Sequence, residues 1–244
     1  MTLAALPGLP EVRAGDDLAA LLAEAAGRLE GSLRAHDVLA VAHKVVSKAE
    51  GRVVRLADIE PGPAARRLAA EHGKDPRHVQ AILDESTDLL RADAGRLICR
   101  TRHGFVCANA GVDASNAGAP ESLVLLPEDP DASARALRRA LGCAVVITDS
   151  FGRAWRNGQC EVAIGCAGLK AADDWRGRAD SDGRVLAATV IAIADEAAAA
   201  ADLARGKDTR EPAVRVRGLE GHVTGEDGPG AAALVRALED DLFR

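Results

Sequence analysis

The 244-residue chain is poor in aromatic side chains, with three Phe, two Trp and no Tyr, 2% of the whole. That excludes the stacking platforms on which single-stranded nucleic acids are held, and it excludes a core built on large rings. No CxxC pair occurs among the five cysteines, Cys99, Cys107, Cys143, Cys160 and Cys166, so zinc-ribbon and thioredoxin-like readings have no support. Small, buried, reduced thiols are expected instead. No basic segment precedes an apolar stretch at the N-terminus, so no secretory signal is expected. The longest apolar run, Val185 to Ala194, stops at Asp195-Glu196 and is too short to span a bilayer. A cytoplasmic protein without a membrane partner is expected. The net charge of −6 makes the chain a poor sequence-indifferent binder of nucleic acid, and no nucleic-acid partner is expected.

The common signatures of nucleotide and hydrolytic sites are also missing. There is no GxxxxGK[ST] loop, no GxGxxG after a strand, no nucleophile elbow around Ser150, and no HExxH or EF-hand pattern. The glycine-rich stretch Gly225 to Gly230 reads as a loop.

What is present is a globular composition, 48% hydrophobic and 28% charged, long enough for one large domain or two small ones. Leu6 to Val12 reads as an extended strand or loop. Leu18, Leu21, Leu22 and Ala25 follow Asp17 at helical spacing and predict an Asp-capped helix ending near Gly31. Asp37 to Val46 reads as a buried strand left through a polar loop, Ser47 to Gly51. Pro61 to His72 and Pro76 to Arg91 read as helices. Arg96 to Thr101 and Phe105 to Asn109 form a possible hairpin, and Leu123 to Leu126 a short strand. A helix is predicted from Pro130 to Leu141, then a strand, Ala144 to Thr148, that delivers Asp149-Ser150 at its end, as open α/β sheets often deliver site residues. Val162 to Leu169 is apolar, Asp173 to Asp182 a charged connection, and Val185 to Ala194 a strand or helix. Asp195 to Arg205 reads as an alanine-rich helix, Ala213 to Leu219 as a strand, and Pro229 to Phe243 as a C-terminal helix. Intermixed helices and strands indicate α+β or α/β, in two closely joined lobes.

Chemistry, on this reading, falls to polar residues in loops. Asp113, Ser115 and Asn116 share one short loop, and Asp149 and Ser150 end the apolar strand. Such oxygen ligands suit Mg²⁺ or Mn²⁺, which take one or two carboxylates and fill their shells with water and phosphate. Asp113 taken by itself reads more readily as an Asx-turn former. Lys44, placed inside an apolar strand, needs either a partner or a half-exposed face. Arg153 and Arg156 around Trp155 could clamp an anion or be ordinary surface arginines. His36, His72, His78, His103 and His222 are read as structural.

Several stretches recur together in one family: Gly8-Leu9-Pro10 before Gly15-Asp16-Asp17-Leu18; Asp37-Val38-Leu39 running to Val46-Ser47-Lys48-Ala49-Glu50-Gly51-Arg52; Asn109-Ala110-Gly111-Val112-Asp113-Ala114-Ser115-Asn116; Leu125-Leu126-Pro127 with Asp129-Pro130-Asp131; Ile147-Thr148-Asp149-Ser150-Phe151-Gly152-Arg153; Ala163-Ile164-Gly165 leading to Gly168; and Val216-Arg217-Gly218-Leu219. In this order, from about Leu6 to Leu219, they resemble the coenzyme F420:L-glutamate ligases (γ-glutamyl ligases). The resemblance implies a GTP-dependent ligase that joins L-glutamate to coenzyme F420-0, then further glutamates through γ-linkages, by way of an acyl phosphate and with release of GDP and phosphate. It implies a two-lobed α+β fold, a GTP site without a P-loop, an intertwined homodimer, and one ligase domain over residues 1–244 without the nitroreductase-like domain that some members carry.

Carried over position by position, Asp113, Asp149 and Ser150 match divalent-metal ligands for Mg²⁺ or Mn²⁺, with K⁺ as a further candidate ion. Leu9, Pro10, Glu11, Val12, His43, Lys44, Lys48 and Asn116 match nucleotide-contacting positions, and the stretch Arg205-Gly206-Lys207 matches a further nucleotide and metal segment. Asp113, Asp149 and Lys48 would be the catalytic set. Some relatives place a carboxylate where Lys207 stands, and a protonated lysine cannot ligate a metal. Either a second metal position is lost or Lys207 meets phosphate directly. Local cations and metal must draw anionic substrates to an acidic chain. With so few rings to grip a deazaflavin, recognition is expected to fall on the acceptor's phosphate and carboxylate tail. A phosphotransferase or nucleotide hydrolase on the same site is the alternative, and a non-catalytic scaffold would be expected to lack Asp113 or Asp149.

Overall fold

A computed structural model describes residues 1–241. At its centre lies a five-stranded sheet in the order β1 (Thr2–Ala5), β12 (Ala213–Arg217), β2 (Val38–Ala42), β8 (Ala144–Arg153) and β9 (Arg156–Ala167). β2 and β8 run parallel and the other neighbours antiparallel. Side chains on a strand alternate between faces, so a sheet covered on both sides reads as a continuous apolar run. Leu39, Val41, Val145 and Ile147 point to one face, against Leu18 and Leu22 of α1 (Leu18–Gly27) and Ala134 and Leu137 of α5 (Pro130–Leu141). Val38, Ala40, Ala144 and Val146 point to the other, against Ala194, Ala197, Ala198 and Ala201 of α6 (Ile193–Asp202).

A third, separate core joins α3 (Pro63–His72) and α4 (Pro76–Asp84) to the sheet of β4 (Ser86–Asp93), β5 (Arg96–Thr101) and β6 (Val106–Ala108). Two small pairings complete the strands: β3 (Val53–Arg55) with β7 (Ser122–Val124), and β10 (Asp173–Asp174) with β11 (Val190–Ile191). With α2 (His43–Ala49), the described residues hold six α-helices in a mixed α+β arrangement. No helix among them is long and apolar enough to cross a membrane.

Local signals set most helix ends. Asp17, Asp75 and Asp129 each accept a hydrogen bond from a first-turn amide, which satisfies a donor the helix itself leaves orphaned. Gly73 and Gly142 close α3 and α5 in the left-handed conformation.

Four sequence expectations need correction. The buried strand ends at Ala42, and His43 to Ala49, expected as strand and loop, form a helix. The second helix of the pair stops at Asp84, and Ser86 to Asp93 turn into β4. Asp149 and Ser150 do not end a strand: β8 continues to Arg153 and returns as β9. No helix runs through the C-terminal segment within the described residues; Ala231–Leu234 and Leu238–Asp240 are short 3₁₀ turns, and Leu242 to Arg244 lie outside those residues.

Candidate functional site

The expected site residues gather around the first turn of α2. His43 and Ser47 are four residues apart and share one helix face, with His43 Nδ1 3.3 Å from Ser47 Oγ. Lys44 and Lys48 share the next. His43, Lys44 and Lys48 each reach a different segment of the chain.

His43 is buried, and its Nε2 lies 3.4 Å from Asp149 Oδ1 on β8. The same carboxylate oxygen accepts from the Ser150 amide at 2.8 Å. Lys44 Nζ donates to Asp113 Oδ2 at 2.7 Å and to Ser115 Oγ at 2.7 Å. Adjacent residues of one helical turn therefore each hold one of the two carboxylates. Lys48, also buried, pairs with Glu11 from the N-terminal loop, and Gly118 passes over that pair with its Cβ position 3.4 Å from Glu11 Oε1.

The Asp113 loop is fixed by its backbone. Asp113 exchanges two hydrogen bonds with Val124 of β7, N to O at 3.0 Å and O from N at 2.8 Å. Ahead of it, Asn109, Ala110 and Gly111 all have positive φ, of 54°, 53° and 73°. A run of left-handed residues is costly for Ala and is retained where the surroundings over-determine it. Gly111 is required twice over, since a Cβ there would fall 2.7 Å from Leu126 Cγ. Burial pushes the Asp113 carboxyl up, but the Lys44 ammonium and the Ser115 amide and hydroxyl outweigh it and hold the carboxyl below its ordinary range.

The N-terminal loop with Leu9, Pro10, Glu11 and Val12 is anchored by Arg28, whose Nη1 donates to Gly8 O at 2.7 Å. Asn116 is exposed and left-handed, with φ 54°, in the loop that Lys44 ties down through Ser115. Gly206 and Lys207 follow α6, and Lys207 Nζ meets Ser150 Oγ at 2.9 Å. The fold thus links the N-terminal loop, α2, the Asp113 loop, β8 and the segment after α6 by direct contacts.

A position-specific irregularity aims Asp149. β9 carries a bulge at Ile164, between the pairs Ile147–Gly165 and Thr148–Ala163, and bulges re-aim neighbouring side chains. Gly165 is needed beside it, because a Cβ there would lie 2.3 Å from Pro130 O.

Two residues that sequence reasoning did not single out, Glu161 and Asp202, are part of the cluster, together with Arg205 of the expected Arg205-Gly206-Lys207 stretch. Glu161, buried on β9, accepts the Ser150 hydroxyl and Arg205 Nη2 at 2.8 Å, and Asp202 accepts Lys207 Nζ at 3.1 Å. Only the hairpin register, Ser150 opposite Glu161, could have revealed Glu161. Burial raises the Glu161 carboxyl, while Arg205, Ser150, Thr148 and Lys207 together hold it below its ordinary value.

Other expectations resolve simply. Arg153 donates to Asn157 O at 2.8 Å within the hairpin turn. His103 faces the Pro127 and Glu128 carbonyls, a structural place. All five cysteines are unpaired thiols, four of them buried; burial pushes Cys107, Cys143 and Cys166 up to about 12, so none of these three is a thiolate nucleophile at neutral pH. Among the described residues, three of the four Phe and Trp rings, Phe105, Phe151 and Trp155, line one cleft of about 740 Å³, with Leu90, Arg100 and Leu234.

Asp113 and Asp149 are hard oxygen donors of the kind Mg²⁺ and Mn²⁺ accept. Among the described residues no group of three or more His, Cys, Asp and Glu is placed to hold a metal alone. Two carboxylates fit a site whose remaining ligands are water and phosphate oxygens.

Comparison with known proteins gives a consistent family. The profile described as F420-0:gamma-glutamyl ligase matches residues 8–218. The chain is 48% identical to the coenzyme F420:L-glutamate ligase of Methanopyrus kandleri, over 96% of this chain and 94% of that protein. It is 47% identical to the protein of the same name from Halobacterium salinarum, over 98% and 94%. With that of Methanothermobacter thermautotrophicus the identity is 44%, over 100% and 99%.

Proposed function

The chain belongs to the F420-0:gamma-glutamyl ligase family, and on that premise we propose that it ligates L-glutamate to coenzyme F420-0, then adds further γ-linked glutamates, with GTP as co-substrate. The observation that carries this reading is the family match across residues 8–218, because that span includes every residue of the α2-centred cluster. The alternative of simple nucleotide hydrolysis has no feature of its own in its favour.

A carboxylate is a poor acyl donor. The γ-phosphoryl group of GTP passes to the acceptor's terminal carboxylate, breaking the bond to GDP and forming an acyl phosphate. The deprotonated α-amine of glutamate then attacks the acyl carbon, the amide forms, and inorganic phosphate leaves. Every reactant is anionic and the chain carries −6, so binding depends on local positive charge.

Lys48 and Lys44 supply it from one helix face. Glu11 and Asp113 orient their ammonium groups in the absence of substrate, and phosphate oxygens would compete for those donors. The backbone of Leu9 to Val12, with Asn116 and Gly206-Lys207, would frame the nucleotide. His43 fixes the Asp149 carboxylate from the buried side. Asp113 and Asp149 would hold Mg²⁺ or Mn²⁺, which neutralises charge on the transferring phosphate. Phe151 lies two residues from Asp149 along β8, hence on the same strand face. In place of recognition through the acceptor's tail alone, which the scarcity of rings predicts, the cleft it lines with Phe105 and Trp155 would take the acceptor's ring system. We also infer that the chain acts as a homodimer.

The test is to incubate the protein with F420-0, L-glutamate, GTP and Mg²⁺ or Mn²⁺ and to follow product masses. One glutamyl unit gained per GTP consumed is expected. GTP consumption without a mass gain overturns the ligase reading in favour of hydrolysis.

A further inference from the structure

Ser150 was expected to ligate a metal, but its surroundings are those of an ammonium host. Lys207 Nζ lies 2.9 Å from Ser150 Oγ, 3.0 Å from Glu161 Oε1 and 3.1 Å from Asp202 Oδ1. An ammonium has three protons, and these three oxygens match them. The Ser150 proton is directed to Glu161. The other Glu161 oxygen receives Arg205 Nη2 at 2.8 Å, and Arg205 also donates to Thr148 Oγ1 at 2.9 Å. The carboxylate best placed to complete a metal shell at Ser150 is thus bound on both oxygens by side-chain cations. A divalent ion on the neutral Ser150 Oγ would face the like charge of Lys207 across a single oxygen atom, whereas Asp113, although Lys44 Nζ sits on its Oδ2, is itself an anion and offers a second oxygen. These residues do not fit a metal.

We propose that Lys207 is the resident cation at Ser150, so that this chain holds one divalent ion, at Asp113 and Asp149, and none at Ser150. The ammonium is tethered, so it stays whatever the concentration of free metal. Its side chain is 69% exposed, which leaves it open to an anionic group arriving beside Asp149. The count of divalent ions rests on the proposed function; the place of the ammonium does not.

Two measurements test this, on native protein and on Lys207→Gln, with circular dichroism to establish that the variant is folded. In the first, without metal or nucleotide, the lysine ammonium groups of ¹⁵N-labelled protein are observed by proton–nitrogen correlation. A resonance lost in Lys207→Gln and displaced in Ser150→Ala is expected. Its absence, or its indifference to Ser150→Ala, overturns the proposal. In the second, bound Mn²⁺ is counted by electron paramagnetic resonance in the presence of GDP. One ion per native chain and two per Lys207→Gln chain are expected. Two in the native chain, or one in both, overturns the proposal. None in either protein overturns the proposed function and, with it, the count of one.

Discussion

Lys44 Nζ donates to Asp113 Oδ2 at 2.7 Å, joining helix α2 to a loop 69 residues further along the chain. The next residue back, His43, meets Asp149. One peptide unit of α2 therefore spaces the two carboxylates on which the proposed chemistry depends, and each can be tested through its holder.

Lys44→Met removes the cation that keeps Asp113 ionised. Burial alone raises the Asp113 carboxyl, and Lys44 is the foremost group lowering it. The acidic limb of the pH–rate profile is expected to move to higher pH in the variant. The pair is partly exposed, so stability should change by no more than about 1 kcal/mol. A superimposable pH profile would show that Asp113 does not titrate in the reaction.

Asp149→Asn keeps the size of the side chain and removes its charge. Turnover is expected to fall at least about 10²-fold, from lost electrostatic stabilisation of the transferring phosphate, with the unfolding midpoint little changed. Near-normal turnover at saturating metal would refute the role given to Asp149.

The fold was legible where one local rule acted alone. Asp129-Pro130 and Gly142 bracket α5 as a cap and a stop should, and the apolar run at Ala144 marks a central strand. It was illegible where two elements meet without a break. Val38 to Ala42 pass into α2 without a side-chain cap at Ala42, so the Val-rich pattern reads as one strand. At Glu85 no glycine marks the end of α4, and the following Leu89-Leu90 extend the apparent helix. The candidate site's members came from family resemblance and from a reading of polar loops, yet His43, Lys44 and Lys48 lie on α2 and Asp149 and Ser150 within β8. Its connections were not legible, because Glu161 reaches Ser150 only through a hairpin register that a bulge shifts.

The close approach of β9 to α5 gives a stability prediction. A methyl group on Gly165 would lie 2.3 Å from Pro130 O and 2.6 Å from Pro130 C, both backbone atoms. Nothing there can rotate away. Gly165→Ala is expected to cost at least about 2 kcal/mol, as overpacking of a core does. The urea midpoint would fall with the slope unchanged. An unchanged midpoint would mean that the two elements part more easily than their contacts imply.

Thiol chemistry separates Cys160 from the rest. Burial raises Cys99, and carries Cys107, Cys143 and Cys166 up to about 12, while Cys160 is only half-buried. Iodoacetamide at pH 8 should therefore label native protein first at Cys160, giving a single mass increment. Labelling of Cys143 at a comparable rate would show local opening at the start of β8, an interior strand of the central sheet.

Glu161 and Arg205 give the pH dependence of stability. Their side chains are 4% and 5% exposed. Burial raises the Glu161 carboxyl and its partners more than reverse this, so the folded value lies below the ordinary 4.5. A carboxyl depressed on folding adds stability that is present above its unfolded value and is lost as pH falls through the folded one. Native stability is therefore expected to decline below about pH 4.5, and Glu161→Gln to start lower at pH 7 and decline less over that range. Arg205→Met has the opposite signature. It removes one of the two cations on a buried carboxylate, leaving Lys207 on the other oxygen, and should cost about 1.5–3 kcal/mol at neutral pH. Without Arg205 the balance tips toward the effect of burial, so part of that loss should return on acidification as Glu161 takes up a proton. Urea titrations at pH 7, 5 and 4 distinguish these profiles, and parallel curves for native protein and both variants would mean that Glu161 carries no folding-linked proton.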